Sequence, residues 1–196
     1  MITKDDFANR KRYLNARSTL KRLLDLGVVP IINENDTVAI NELKYVETFG
    51  DNDNLSALVS GLLGADLLLI LSDVDGLFDK NPAKYLDAKL ISEVKYFNED
   101  ILNVAGDSVS GVGTGGMKTK LLAAQKALDS GCYVGIINGK DPLNIKRFLA
   151  LEEIGTFFSH VEDVKDRKKF WIAYAATPKG EIVIDSGAIR AITEMN

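Results

Sequence analysis

Five consecutive aliphatic residues, Leu67 to Leu71, follow an amphipathic helical stretch after only Gly64, Ala65 and Asp66. A run this apolar and this short is a strand buried on both faces, the kind that parallel sheets use. The preceding DNDNLSALVSGLLG, residues 51 to 64, has Leu55, Leu58, Val59, Leu62 and Leu63 on one helical face. The same grammar recurs. VVPIIN (28 to 33) reads as a short buried strand, and CYVGIING (132 to 139) as another after a helix ending at Gly131. Asp141–Pro142 then opens a helix to about Leu149, with an acid cap and proline in the first turn. Alternating strand and helix imply an α/β fold with a largely parallel sheet.

Around this frame the assignments are looser. Residues 3 to 26 read as one helix with a Thr3/Asp6 capping box, Phe7, Leu14, Leu20, Leu23 and Leu24 as apolar points, and Gly27 as its stop. NELKYVETF, 41 to 49, reads as a polar connection, and 79 to 110 as an irregular excursion with one short helix near 98 to 105. VEDVKDRKKF, 161 to 170, is a charged linker. After it come an apolar run, a Pro-Lys-Gly turn and the alternating EIVID, a β-hairpin signature.

In such sheets ligands sit at the carboxyl ends of strands, which here lead into NENDTVA, SDVDGLFD and NGKDP. The most telling loop precedes a helix: SGVGTGGMKTKLLAAQKALDSG, 110 to 131. It resembles a P-loop, but Val112 and Met117 stand where that pattern needs glycines. Its physics survives the mismatch. A glycine loop feeding a helix N-terminus presents backbone N–H groups and a dipole to an anion, and Lys118 and Lys120 add positive charge. Taken alone, the stretch also fits an ordinary glycine-rich turn.

Two acid–amide clusters, Asn33-Glu34-Asn35-Asp36 and Asp51-Asn52-Asp53-Asn54, offer the donors and acceptors that a zwitterion such as an amino acid needs. A helix cap would explain one such acid but not two clusters. Ser72-Asp73-Val74-Asp75-Gly76 ends the central strand, as a turn or as a ligand loop. Phosphoryl transfer asks little covalent chemistry of a protein beyond positioning and cations. Lys120 or Lys118 would be the cation, and an acid such as Asp53 would orient lysines.

The remaining composition excludes more than it assigns. With 24 basic and 28 acidic residues, the net charge of −4 lacks the footprint of a nucleic-acid binder. One cysteine, Cys132, precludes an internal disulfide framework, suits a reducing cytosol and reads as structural. A single His160 leaves little room for His-based metal or triad chemistry and reads as a loop residue; no metal site is expected. The charged opening has no apolar signal-peptide core, and no run is long enough to span a membrane. Trp171 reads as a core residue of the tail.

VVPIINENDTVA, FGDNDNLSALV, ADLLLILSDVDGLFDKNP and GVGTGGMKTKLLAAQKA, in this order and spacing, resemble the amino acid kinase family from about residue 3 to 158. NEND and GDNDNLSA point to the branch that phosphorylates the γ-carboxylate of glutamate, rather than to acetylglutamate kinase, aspartokinase or uridylate kinase. The resemblance implies a three-layer αβα sandwich and ATP-dependent formation of γ-glutamyl phosphate, the first step of proline synthesis. By motif match, Asp36 and Asn52 would hold glutamate, and Asp53 would orient the catalytic lysines. Ser72 and Asp73 would contact the nucleotide. Thr114, Gly115, Gly116, Met117, Lys118, Thr119 and Lys120 would wrap the ATP phosphates, with Lys120 on the transferring group. Magnesium would ride with ATP.

The resemblance further implies a cytoplasmic homo-oligomer, inhibition by proline and a glutamyl phosphate reductase acting downstream. The family's opening strand, with its lysine and glycine loop, and its Gly-Ser loop have no counterpart here, so residues 1–160 are expected to be an N-terminally shortened kinase domain. Residues 161–170 would be a linker, and 171–196 a β-rich start of a PUA-like domain, too short to fold alone.

Overall fold

The computed structural model describes residues 1–35, 52–106, 116–159, 164–178 and 180–194. Two short helices open the chain, α1 (Lys4–Ala8) and α2 (Arg10–Asp25). The sequence suggested one helix, and Asn9 divides it. Its backbone is extended, and its side chain accepts hydrogen bonds from the N–H groups of Lys11 and Arg12. One residue therefore ends the first helix and caps the second. The Thr3/Asp6 capping box forms as expected, and Gly27 follows the α2 cap at a φ of 74°. Leu14 and Leu24, counted among the apolar points, are 42% and 46% exposed; Tyr13 and Leu20 take the buried face.

VVPIIN does not become a buried strand. Among the described residues its only ladder neighbour is Ile2, which bridges Glu34 and exchanges backbone bonds with Asn33 and Asn35. Val29 and Ile31 are 82% and 95% exposed. β-branched composition favours extended backbone, but a strand is buried only where neighbours flank it.

The sheet is built from β1 (Leu67–Ser72), β2 (Glu93–Val94), β3 (Tyr133–Asn138) and β4 (Thr156–Phe158), in the order β1-β3-β4-β2. β1 pairs parallel with β3, and β2 parallel with β4, while β3 and β4 are antiparallel. The sheet is thus mixed and mostly parallel. β1 was expected to be covered on both faces; among the described residues it has β3 as its one neighbouring strand, and Leu71 is 49% exposed.

Helices α3 (Asn52–Leu63), α4 (Glu99–Gly106) and α5 (Met117–Asp129) accompany one side of the sheet. Val134, Ile136 and Phe158 point into that side and meet Leu121, Ala124 and Leu128 of α5. On the opposite side α6 (Leu143–Leu149) lays Phe148 against Phe157, which neighbours Tyr133. Helix, sheet and helix make three layers.

α3 does not turn its leucine face to the sheet. Ala57 enters the sheet-side core, whereas Leu55, Leu58 and Leu62 join Phe7, Tyr13, Leu20 and Phe170 in a second core. Small side chains let α3 lie close to α5, and the leucines hold α1, α2 and α7 (Arg167–Tyr174). The tail is helical where a hairpin was expected. α7 packs Phe170 onto Gly61, the Trp171 indole donates to the Phe7 carbonyl at 2.8 Å, and Ser186–Glu194 forms α8. Residues 180–185 have no sheet partner among the described residues, so EIVID keeps its alternation without a ladder. No described helix is long and apolar enough to cross a membrane.

Candidate active site

α3 runs into β1, and α5 into β3, through links of a few residues. Each helix therefore travels back against its strand, and its first turn lies toward the carboxyl edge of the parallel pair. This places Asp53, in the first turn of α3, beside the first turn of α5. The Lys120 ammonium donates to Asp53 Oδ2 at 2.9 Å, with 14% and 17% of the two side chains exposed. The Thr119 hydroxyl donates to the Gly116 carbonyl at 2.8 Å and lies 3.3 Å from the same carboxylate oxygen. With less water to screen them the two charges attract more strongly, and having lost hydration each holds its partner tightly in place.

Gly116 caps α5 without a side-chain hydrogen bond. The helix entrance presents first-turn N–H groups with no side-chain acceptor among the described residues, and the positive end of its dipole, which suit an anion. Lys118 is exposed beside it, and Met117 packs partly into the core. A lysine held by an acid at such an entrance can neutralise charge on a phosphoryl group without collapsing onto it.

A second polar group forms where β1 and β3 end. Ser72 is buried, its hydroxyl 3.4 Å from Asp73 Oδ1, and Asp73 itself is exposed. The Asn138 side-chain amide donates to Asp75 at 2.8 Å and accepts from Lys140 N at 2.9 Å. Gly139 N donates to the Ser72 carbonyl at 2.8 Å, joining the two loops. Beneath them Thr156, fully buried, accepts from Leu77 N at 2.8 Å and donates to the Ile91 carbonyl at 2.7 Å.

Of the residues singled out in the sequence, the structure brings Asp53, Thr119 and Lys120 into contact and sets Ser72 and Asp73 at the carboxyl edge. Asn52 is exposed at the start of α3. Asp36, Thr114 and Gly115 lie outside the described residues, as does His160. Asn138 and Lys140 carried a signal, the NGKDP loop after a strand, but no single residue in it stood out. The contact of Lys126 with Asn54, 2.6 Å from ammonium to side-chain oxygen, had none. Cys132 is buried, and dehydration pushes its thiol up to about 11 from 9.0, consistent with a packed and inert side chain.

The sequence profile of the amino acid kinase family matches residues 1–138, a span that contains Asp53, Ser72, Asp73, Lys120 and Asn138. The chain belongs to this family. Amino acid kinases among its relatives include the glutamate 5-kinase of Geobacter metallireducens, 50% identical over 188 residues, covering 96% of this chain and 49% of that protein. That of Trichlorobacter lovleyi is 50% identical over 194 residues, covering 99% and 50%. The chain thus spans about half the length of the curated relatives it matches. Among solved structures, an isopentenyl phosphate kinase substrate complex aligns with a TM-score of 0.51 at 25% identity over 72% of this chain and 52% of that one. The carbamate kinase of Giardia lamblia bound to AMP-PNP aligns at 0.52, with 22% identity, over 74% and 49%. These neighbours share the amino acid kinase fold.

Proposed function

We propose that the chain carries the phosphate-binding half of a glutamate 5-kinase, which transfers the γ-phosphoryl group of ATP to the γ-carboxylate of glutamate. The observation that carries this reading is the Asp53–Lys120 pair at the glycine-capped entrance of α5. The relatives at 50% identity support the choice of glutamate over other acceptors.

In this reading residues 114–120 surround the ATP phosphates, with ATP entering as its magnesium complex. Backbone N–H groups at the α5 entrance hold phosphate oxygens, and Ser72 and Asp73 contact the nucleotide. Asp36 and Asn52 hold glutamate. A γ-carboxylate oxygen attacks the γ-phosphorus, the bond to the ADP oxygen breaks, and an acyl phosphate forms with no proton to move. Asp53 keeps Lys120 aimed at the transferring group, where its charge counts most in the transition state. Homo-oligomerisation, inhibition by proline, a downstream glutamyl phosphate reductase and a cytoplasmic setting accompany the same reading. So does a kinase domain ending near 160, with a further domain opening at 171.

The test is an assay of the chain with ATP, magnesium and glutamate, following ADP release and trapping acyl phosphate as its hydroxamate. Glutamate-dependent hydroxamate, absent with aspartate or N-acetylglutamate, is the expected result. ATP binding without any acyl phosphate would overturn catalysis by this chain.

A further inference from the structure

Two side-chain rungs tie the first turn of α3 to α5. One is Asp53–Lys120. The other is adjacent in sequence: Lys126 Nζ donates to Asn54 Oδ1 at 2.6 Å. Successive residues on a helix project about 100° apart. Anchoring both Asp53 and Asn54 therefore restrains the roll of α3 about its axis more tightly than one rung does.

The second rung is not a matter for α3 and α5 alone. Lys126 Nζ lies 5.9 Å from the centre of the Tyr174 ring on α7, and Lys165 Nζ lies 5.7 Å from the same ring. The Tyr174 hydroxyl donates to the Asp129 carboxylate, which also pairs with Lys165. Lys165 N donates to the Asp129 carbonyl at 2.8 Å, so the segment before α7 is fixed to the end of α5 by backbone as well. The Tyr174 ring lies tilted at 55° against Phe170, with centroids 5.2 Å apart, and Phe170 rests on Gly61 of α3. Burial and Asp129 together raise the Tyr174 pKa, keeping the phenol a donor. A cation above an aromatic face gains most when it is also partly dehydrated.

We propose that Lys126 and Tyr174 are positioning residues for phosphoryl transfer: residues 164–176 hold Lys126 against Asn54 and so set the direction in which Asp53 presents Lys120. The proposal rests on the kinase reading above. It gives the C-terminal segment a role at a site it does not touch.

The experiment compares the full chain with Lys126→Met, which keeps the aliphatic stem, and Lys126→Arg, which keeps the charge, the donor and the ring contact. Steady-state kinetics with glutamate and magnesium-ATP are read beside thermal melts and amide hydrogen exchange across residues 56–60 of α3. In Lys126→Met, kcat should fall about tenfold while both KM values stay within about twofold, since misalignment costs the chemical step before it costs binding. Exchange in α3 should rise at least about threefold, and Lys126→Arg should restore both. Unchanged kcat and exchange in Lys126→Met would overturn the proposal, as would a loss that Lys126→Arg does not recover. If the unaltered chain makes no acyl phosphate, the kinase reading fails in that assay. The exchange measurement still decides the coupling, and α3 exchange unmoved by Lys126→Met would sink it.

Discussion

Lys120 and Asp53 meet at 2.9 Å across α5 and α3, although 67 residues separate them in the chain. Each is largely withdrawn from water, so neither replaces its partner with solvent cheaply. Lys120→Ala should leave the Asp53 carboxylate with the Thr119 hydroxyl as its nearby donor and cost about 1–3 kcal/mol in urea unfolding. Phosphoryl transfer should fall at least about a hundredfold, as for loss of a preorganised charge. Near-normal turnover in that variant would remove Lys120 from its role.

Phe170 of α7 lies directly over Gly61 of α3. A Cβ there would sit 2.3 Å from a Phe170 ring carbon, well inside contact distance. Gly61→Ala should therefore destabilise the fold by about 1–3 kcal/mol despite its better helix propensity. Phe170→Leu in the same chain should recover part of the loss, because it vacates the clashing volume. A neutral Gly61→Ala, read by calorimetry, would mean that α7 does not seat on α3 as described.

Thr156 lies at the base of the loop that follows Ser72. Thr156→Val preserves shape but strands the Leu77 N–H and the Ile91 carbonyl. The expected cost is about 1–3 kcal/mol, since an unpaired buried donor forfeits its hydration. Nucleotide affinity should weaken alongside, because the Ser72–Gly76 loop loses its support. Unaltered stability by chemical denaturation would count against both bonds.

Cys132 gives a pH signature. Burial raises its folded pKa from 9.0 to about 11, so between those values the folded chain holds a proton that the unfolded chain has released. Stability should be fully present below pH 9 and decline as pH rises toward 11. Cys132→Ala should flatten that decline, whatever its effect on absolute stability. An identical slope in both chains would show that the thiol does not contribute. The thiol should also resist alkylation at pH 8 in the folded chain.

Much of this was legible locally. The LLLIL and YVGII runs, the helices before them and the glycine-led entrance of α5 depend on short-range periodicity and capping, which a linear sequence records. VVPIIN is as apolar as the β1 and β3 runs and failed to become a buried strand, because burial depends on neighbours that composition does not name. EIVID alternated without finding a ladder for the same reason. Asn9 has the chemistry of a helix cap, but the apolar spacing runs through it unbroken, so local pattern alone reads one helix where there are two.

The sequence by itself determined the α3 and α5 helices, the runs that become β1 and β3, and that Lys120 would stand in the first turn of a helix led by glycines. Hydrogen bonds and apolar spacing within a few residues set those features. Only the tertiary structure decided that Asp53 would be the partner of Lys120, that Lys126 would reach Asn54 beneath the Tyr174 ring, and that the leucine face of α3 would turn from the sheet toward α7. Those contacts join residues 48 to 115 positions apart. Their energy comes from packing and dehydration, which exist only once the layers have closed.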